Sequence, residues 1–411
     1  MGHVVPATRR SKLPPWVNEC RAWRRQSMAP LPRASAAGLT FGHRPSGPAI
    51  LVSLLWVCGI SAPYNVTMPT AVRSYAKINL GLAIGPIRED GFHELRTVYQ
   101  TIALHDVVKV EIGRGTGIEI RCKNPRVPTD ESNTCYRVAD RFMKSSGQRG
   151  KVIVTIEKSL PIQGGLGAAS SNAACTLLAL EREAQRPLDP DDRLRICEEV
   201  GSDLPLFLVG GSVYGEGRGE QVIPLEELAA VDCVVVTPEI SVSTPQAFAD
   251  WDSVAERESA EPAGSRTSAE RTATLTNAAQ SAKILLFSRT MYSWLSSSYK
   301  TPASGVPARG GDRAEAQLLD LVRTGIENDF ERVVFPQHPE LRDVKRVLYG
   351  QAGDGARYAS LSGSGSAVYG LFDSRQKAEA AAERVQALGH AAHVTTTLTR
   401  NQYWETMLIS R

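Results

Sequence analysis

A chain of 411 residues has room for two domains with cores of their own, and 42% hydrophobic with 22% charged residues is ordinary for a soluble globular protein. The net charge of +3 hides an asymmetry: residues 1–67 carry eight Lys/Arg against one acid, and the other 39 basic and 43 acidic residues leave a body of −4, which gives no support to nucleic-acid binding. Seven scattered cysteines without a Cys-x-x-Cys pair fit a reduced compartment better than a disulfide framework, and the seven histidines show no metal-ligand spacing, so any metal arrives with a substrate.

Residues 1–67 are Arg- and Pro-rich, with an apolar run at 49–60 too short to span a bilayer. Two readings stand: upstream sequence before a true start at Met68, or a transit or signal segment. Location is cytoplasmic under the first and organellar under the second. No membrane association is expected, and monomer and homodimer both remain open. Strand pattern begins after Met68, with short runs at Lys77–Ile84, Thr97–Ala103 and Val107–Ile112 and a tight turn at Arg88-Glu89-Asp90-Gly91. A helix over 133–146, a strand at Lys151–Ile156, a glycine-rich turn and a helix over 169–184 follow. Asp189-Pro190 forms an N-cap and first turn for a further helix that Gly201 ends. Strand Ser212–Tyr214 leads into Gly215-x-Gly217-x-Gly219, read as a strand-to-strand turn. Cys233–Thr237 is a buried-type strand that opens a second domain. Residues 252–274 read as a solvated loop or frayed helix, followed by a helix over 275–298 and a Pro/Gly stretch over 301–312. Helices over 314–326, 339–350 and 375–387, strands Ala356–Ser360, Ala367–Phe372 and 391–396, and a Ser/Gly loop at 362–366 complete the chain. Alternating helices and strands with hairpin-like runs define a layered α+β protein.

The most telling stretch is Pro161-Ile162-Gln163-Gly164-Gly165-Leu166-Gly167-Ala168-Ala169-Ser170-Ser171, between a strand and a helix. Glycines allow close backbone approach, and a helix N-terminus attracts anions, so this is a phosphate cradle without the P-loop signature.

Three segments in this order, Ala76-Lys77-Ile78-Asn79-Leu80, the glycine loop and Leu361-Ser362-Gly363-Ser364-Gly365, resemble the GHMP superfamily of small-molecule kinases (galactokinase, homoserine kinase, mevalonate kinase, phosphomevalonate kinase). Four more segments resemble the branch acting on a cytidine diphosphate sugar alcohol in non-mevalonate isoprenoid synthesis. They are Asp90-Gly91-Phe92-His93-Glu94-Leu95, Gly201-Ser202-Asp203-Leu204-Pro205-Leu206-Phe207, Ser243-Thr244-Pro245 with Phe248, and Asn328-Asp329-Phe330-Glu331 with Pro336. The resemblance implies a two-domain fold, ribosomal protein S5 domain 2-like then ferredoxin-like. It places the ATP-binding domain at 68–232 and the second at 233–411, with an insertion at about 250–313. Another superfamily kinase, of mevalonate or homoserine type, and a catalytically silent relative are the alternatives.

The resemblance implies ATP and Mg²⁺, with the loop Pro161 to Ser171 and Gly363, Ser364 and Gly365 holding the nucleotide, and Ser170 or Ser171 near the phosphates or metal. Asp203 becomes the general base and Lys77, on an apolar strand, its partner. Phe92 and His93 suit a pyrimidine, Phe248 would close the opposite face, and Asn79 and Thr244 would bind polar substrate groups. Gln163, Ala168 and Ala169 replace three usual glycines. An alanine forced to positive φ there would cost about 1 kcal/mol. Phe92 stands where tyrosine is usual.

Overall fold

Strand β1 runs unbroken from Thr70 to Ile87 and pairs antiparallel with β2 (His93–Gly113), from Thr70 opposite Val110 to Ile87 opposite His93. The computed structural model describes residues 69–162, 164–260, 277–298, 326–351 and 353–409. The extension 1–67, Gln163, the segment 261–276, the stretch 301–312 and the predicted helix 314–326 up to its last residue lie outside them. Two short strands were expected where β2 is one. The turn-like residues about His105-Asp106 sit inside it at a register shift, where the partner of Ala76 becomes Ile102 while Tyr75 keeps His105. A bulge absorbs the extra residues, so the ladder continues across them.

On its other side β2 pairs with β4 (Lys151–Glu157) along Val107–Gly113 and with β5 (Ser212–Glu216) along Thr97–Gln100. Strand β3 (Ile118–Cys122) runs parallel to β4, and β6 (Gln221–Pro224) forms a hairpin with β5. Helices α1 (Thr134–Ser146), α2 (Ala168–Glu183) and α3 (Pro190–Val200) cover this sheet, with Val138, Phe142, Leu177, Leu180 and Ile196 in one core with Val110, Val152 and Val154. Asp189 caps α3 by accepting from Asp191 N, and the helix stops at Gly201.

The second sheet is antiparallel in the order β10-β7-β9-β8, built from β7 (Asp232–Thr237), β8 (Tyr358–Leu361), β9 (Val368–Phe372) and β10 (Ala391–Thr396). That is the ferredoxin-like arrangement. Between β7 and β8 come α4 (Thr244–Ala260), α5 (Asn277–Ser298), α6 (Glu331–Gln337) and α7 (Pro339–Tyr349), and α8 (Arg375–Gln386) joins β9 to β10. Residues 252–260 are helical, the second of the two readings given for 252–274. The stripe Ala247, Trp251, Val254 and Ala255 faces the core, and Trp251 is fully buried, so packing overrides the polar composition.

Helix α6 went unread because Pro336 lies inside it, and so did the last helix, α9 (Arg400–Met407). A capping box of Thr399 and Gln402 starts α9. It returns to the first sheet, where Tyr403 OH donates to Phe207 O at 2.8 Å and Trp404 Nε1 donates to Val209 O at 3.0 Å. Cys122, Cys135, Cys175, Cys197 and Cys233 are free, and burial pushes the Cys135 thiol up to about 12. Among the described residues no helix is long and apolar enough to cross a membrane.

Candidate active site

Lys77 and Asn79, two apart on β1, share one face of the strand. Lys77 is almost fully buried and needs partners. Its Nζ donates to Asn79 Oδ1 at 2.6 Å and lies 3.4 Å from Asp203 Oδ2. Asn79 Nδ2 donates to Thr97 Oγ1 at 2.8 Å, and Thr97 Oγ1 donates to Gly81 O at 2.7 Å, so both ends of the amide are engaged. Asp203 sits in the turn after α3, partly open to solvent, and its Oδ1 accepts from Tyr99 OH at 3.1 Å. The structure therefore brings together a lysine and an aspartate 126 positions apart in sequence.

The glycine loop crosses directly over this pair. Lys77 N donates to Leu166 O at 3.0 Å, and a Cβ at Gly167 would meet Lys77 Cγ at 2.9 Å. Gly165 and Gly167 have φ of 71° and 67°, whereas Ala168 and Ala169 open α2 without positive φ, so neither alanine is strained. No side chain caps α2, and Ser171 N is the first amide to bond back, to Gly167 O at 2.9 Å. The amides before it precede the first bond of the helix, at the end of a helix that attracts anions. Ser171 is buried and accepts from Ser74 Oγ at 2.8 Å; Ser170 faces the open space.

The two glycine-containing loops are joined. Ser362 Oγ donates to Gly165 O at 3.0 Å and Ala367 N donates to Gly164 O at 3.2 Å. Asn328 Nδ2 donates to Leu361 O and Gly363 O, both at 2.8 Å, while Glu331 Oε1 accepts from Leu361 N at 2.9 Å. The Asn328-Asp329-Phe330-Glu331 run is thus a set of struts under the loop. A Cβ at Gly165 would fall 1.9 Å from Ser362 O, at a φ already unfavourable to alanine. Gly165→Ala should lower stability by about 2 kcal/mol, read by thermal melting.

Two cavities meet at this loop. One, of about 350 Å³, is lined by Lys158, Pro161, Ile162, residues 164–170, and residues 126–128 and 132–135. The other, of about 590 Å³, holds Lys77, Asn79, Asp203, Phe92, His93, Thr244, Phe248, Gly363 and Ser364. Both reach Gly165, Gly167 and Ser170. Gly365 lines neither; its φ of 92° shapes the turn against Leu361.

The aromatic wall differs from the expected sandwich of Phe92 and Phe248. Phe248 stacks on the His93 imidazole, with centroids 5.2 Å apart at 7°, and meets the edge of Phe330 at 4.9 Å. Phe92 is 53% exposed, with the Arg218 guanidinium 5.0 Å from its ring centre. A flat imidazole already beside Phe248 satisfies that ring face. His93 is held at both nitrogens, by Gly85 O at 2.8 Å and Asp252 Oδ1 at 3.0 Å. Thr244 Oγ1 lies 2.8 Å from Ser364 Oγ.

Tyr99, Arg218 and Asp252 escaped the sequence reading. Tyr99 lay in the expected strand Thr97–Ala103, Arg218 in a run read as a strand-to-strand turn, and Asp252 in a stretch read as a solvated loop or frayed helix. The pairing of Tyr99 with Asn79 across β1 and β2 was the only available signal, and it needs the register. Among the described residues no group of three or more His, Cys, Asp or Glu is placed to hold a metal.

A helix N-terminus and glycine loop between two cavities, with a buried lysine and an aspartate beneath, on this pair of sheets, define a small-molecule kinase of the GHMP class. Residues 133–211 match the GHMP kinases N terminal domain and residues 314–391 the GHMP kinases C terminal. A protein of Solibacter usitatus named 4-diphosphocytidyl-2-C-methyl-D-erythritol kinase is 37% identical over 313 residues, 76% of this chain and 84% of that one. Its namesake in Prosthecochloris aestuarii is 33% identical, over 77% of this chain and 94% of that one. A crystal structure of 4-(cytidine 5'-diphospho)-2C-methyl-D-erythritol kinase superposes with a TM-score of 0.56 at 28% identity, covering 80% of this chain and 98% of that one. The chain belongs to the 4-diphosphocytidyl-2-C-methyl-D-erythritol kinase family.

Proposed function

We propose that the protein transfers the γ-phosphoryl group of ATP to the 2-hydroxyl of 4-diphosphocytidyl-2-C-methyl-D-erythritol, in non-mevalonate isoprenoid precursor synthesis. The observation that carries this reading is the meeting of two cavities over Gly165, Gly167 and Ser170, with Lys77 and Asp203 on the acceptor side. Phosphoryl transfer asks chiefly for positioning and charge stabilisation. The glycine loop and the first amides of α2 hold the ATP phosphates, and Mg²⁺ enters with them near Ser170. The segment 68–232 supplies this nucleotide side, and 233–411, with its insertion at about 250–313, supplies the closing loop and Phe248.

Asp203 accepts the proton of the attacking hydroxyl as general base. Lys77, 3.4 Å from that carboxylate, orients it and stabilises the charge that develops on the transferred group. Asn79 orients Lys77. His93, Phe248 and Phe92 with Arg218 form a surface for a cytosine ring, and Thr244 with Ser364 supplies hydroxyls to the polar part of the acceptor.

ADP release by the full chain, with 4-diphosphocytidyl-2-C-methyl-D-erythritol, mevalonate and homoserine supplied separately, tests this. Turnover is expected with the cytidyl acceptor alone. Comparable turnover with mevalonate or homoserine would place the substrate elsewhere in the superfamily. A folded, ATP-binding protein that turns over none of them would be a silent relative.

A further inference from the structure

The run Gly215-x-Gly217-x-Gly219, a plain hairpin turn by sequence, lies against a catalytic-side tyrosine. Tyr99 stands on β2 opposite Asn79 of β1 and Val213 of β5, with its ring buried. A Cβ at Gly215 would come within 2.7 Å of Tyr99 Cε2, and one at Gly219 within 2.3 Å of Tyr99 OH. Leu95 N donates to Gly217 O at 2.6 Å and ties the turn to β2. Only glycine at these two hairpin positions leaves room for the phenol, which then reaches Asp203 Oδ1 at 3.1 Å.

We propose that Tyr99 is a positioning residue for Asp203, its hydroxyl fixing Oδ1 so that Oδ2 stays beside Lys77 and the carboxylate keeps one orientation toward the acceptor. The proposal rests on the reading of Asp203 as the base. A partly exposed turn aspartate has free side-chain torsions, and a single ion pair at 3.4 Å does not define its carboxylate plane. A second contact from a rigid strand does. Burial, with the neighbouring Asp203 carboxylate, pushes the Tyr99 phenol well above its ordinary range, so it remains a proton donor across the working pH range. The ionisable groups around the pair are Lys77 on β1, Asp203 itself and Glu220 at the end of the hairpin turn, which also holds Arg218 through Arg218 N at 2.6 Å.

The test is Tyr99→Phe in the full chain, beside Asp203→Asn and Gly215→Ala, with kcat and the KM values measured for each. Phenylalanine keeps the ring and its packing and removes only the hydroxyl. Tyr99→Phe should lower kcat about tenfold with both KM values within about twofold. Gly215→Ala, which displaces the ring, should lower kcat as well. Unchanged kcat in Tyr99→Phe, while Asp203→Asn is inactive, would overturn the proposal and leave the base assignment standing. Full turnover by Asp203→Asn would remove the base assignment and the role of Tyr99 together.

Discussion

Asp203→Asn lowers kcat by about three orders of magnitude, within the range of general acid–base contributions. The amide keeps the size of the carboxylate and still accepts from the hydroxyl of Tyr99, so the acceptor cavity keeps its shape. It cannot take up a proton, and it leaves Lys77 without the carboxylate that lies 3.4 Å from its Nζ. The glycine loop is held by other contacts, to Lys77 N and to Ser362, so ATP binding should change little. Single-turnover kinetics with ATP titrated by calorimetry separates the two effects. Retention of more than about a tenth of parent turnover would show that another group accepts the proton.

The second large effect is on folding and nucleotide binding together. Asp106 is fully buried and accepts four bonds: from Lys158 Nζ at 2.5 Å, Ser159 N at 2.7 Å, Leu160 N at 2.8 Å and Asn172 Nδ2 at 3.1 Å. Asp106→Ala strands the buried Lys158 charge and two backbone donors. Breaking one partner from such a pair costs about 3–5 kcal/mol, a large share of the 5–15 kcal/mol or so that holds a typical domain together. The carboxylate also seats the segment that enters the glycine loop, and Lys158 lines the smaller cavity, so the KM for ATP should rise in whatever fraction stays folded. Denaturant titration reads the first effect and ATP saturation curves the second. A loss below about 1 kcal/mol would mean that water reaches Lys158 and replaces the carboxylate.

Much of the site was legible because its signals are local. The glycine loop announces itself by spacing alone, since a turn at positive φ and close approach of chain segments require residues without Cβ, and the structure finds Gly165 and Gly167 at positive φ, against Ser362 and Lys77. Lys77 was conspicuous as a charge inside an apolar strand. Asp203 was visible only as a turn aspartate, and its meaning came from the resemblance. Ala168 and Ala169 illustrate the opposite limit: composition raised a strain that the backbone does not contain, because both residues already lie in the helix.

What was not legible is non-local. Tyr99, Arg218 and Asp252 carry no signal in their own neighbourhoods, and each enters the cavity through a contact with a distant element. The stacking of Phe248 on His93 instead of opposite Phe92 depends on where α4 meets the start of β2.

From sequence alone came the α+β class, most elements, the glycine loop and Lys77, because periodicity, glycine spacing and an isolated buried-type charge are properties of a few consecutive residues. Tertiary structure alone decided which groups touch: the joining of the two glycine-containing loops, the hold of Tyr99 on Asp203, and the two cavities meeting at Ser170. Those contacts follow from strand register and sheet packing, where a shift of one residue turns every side chain to the other face. No short window of sequence contains that information.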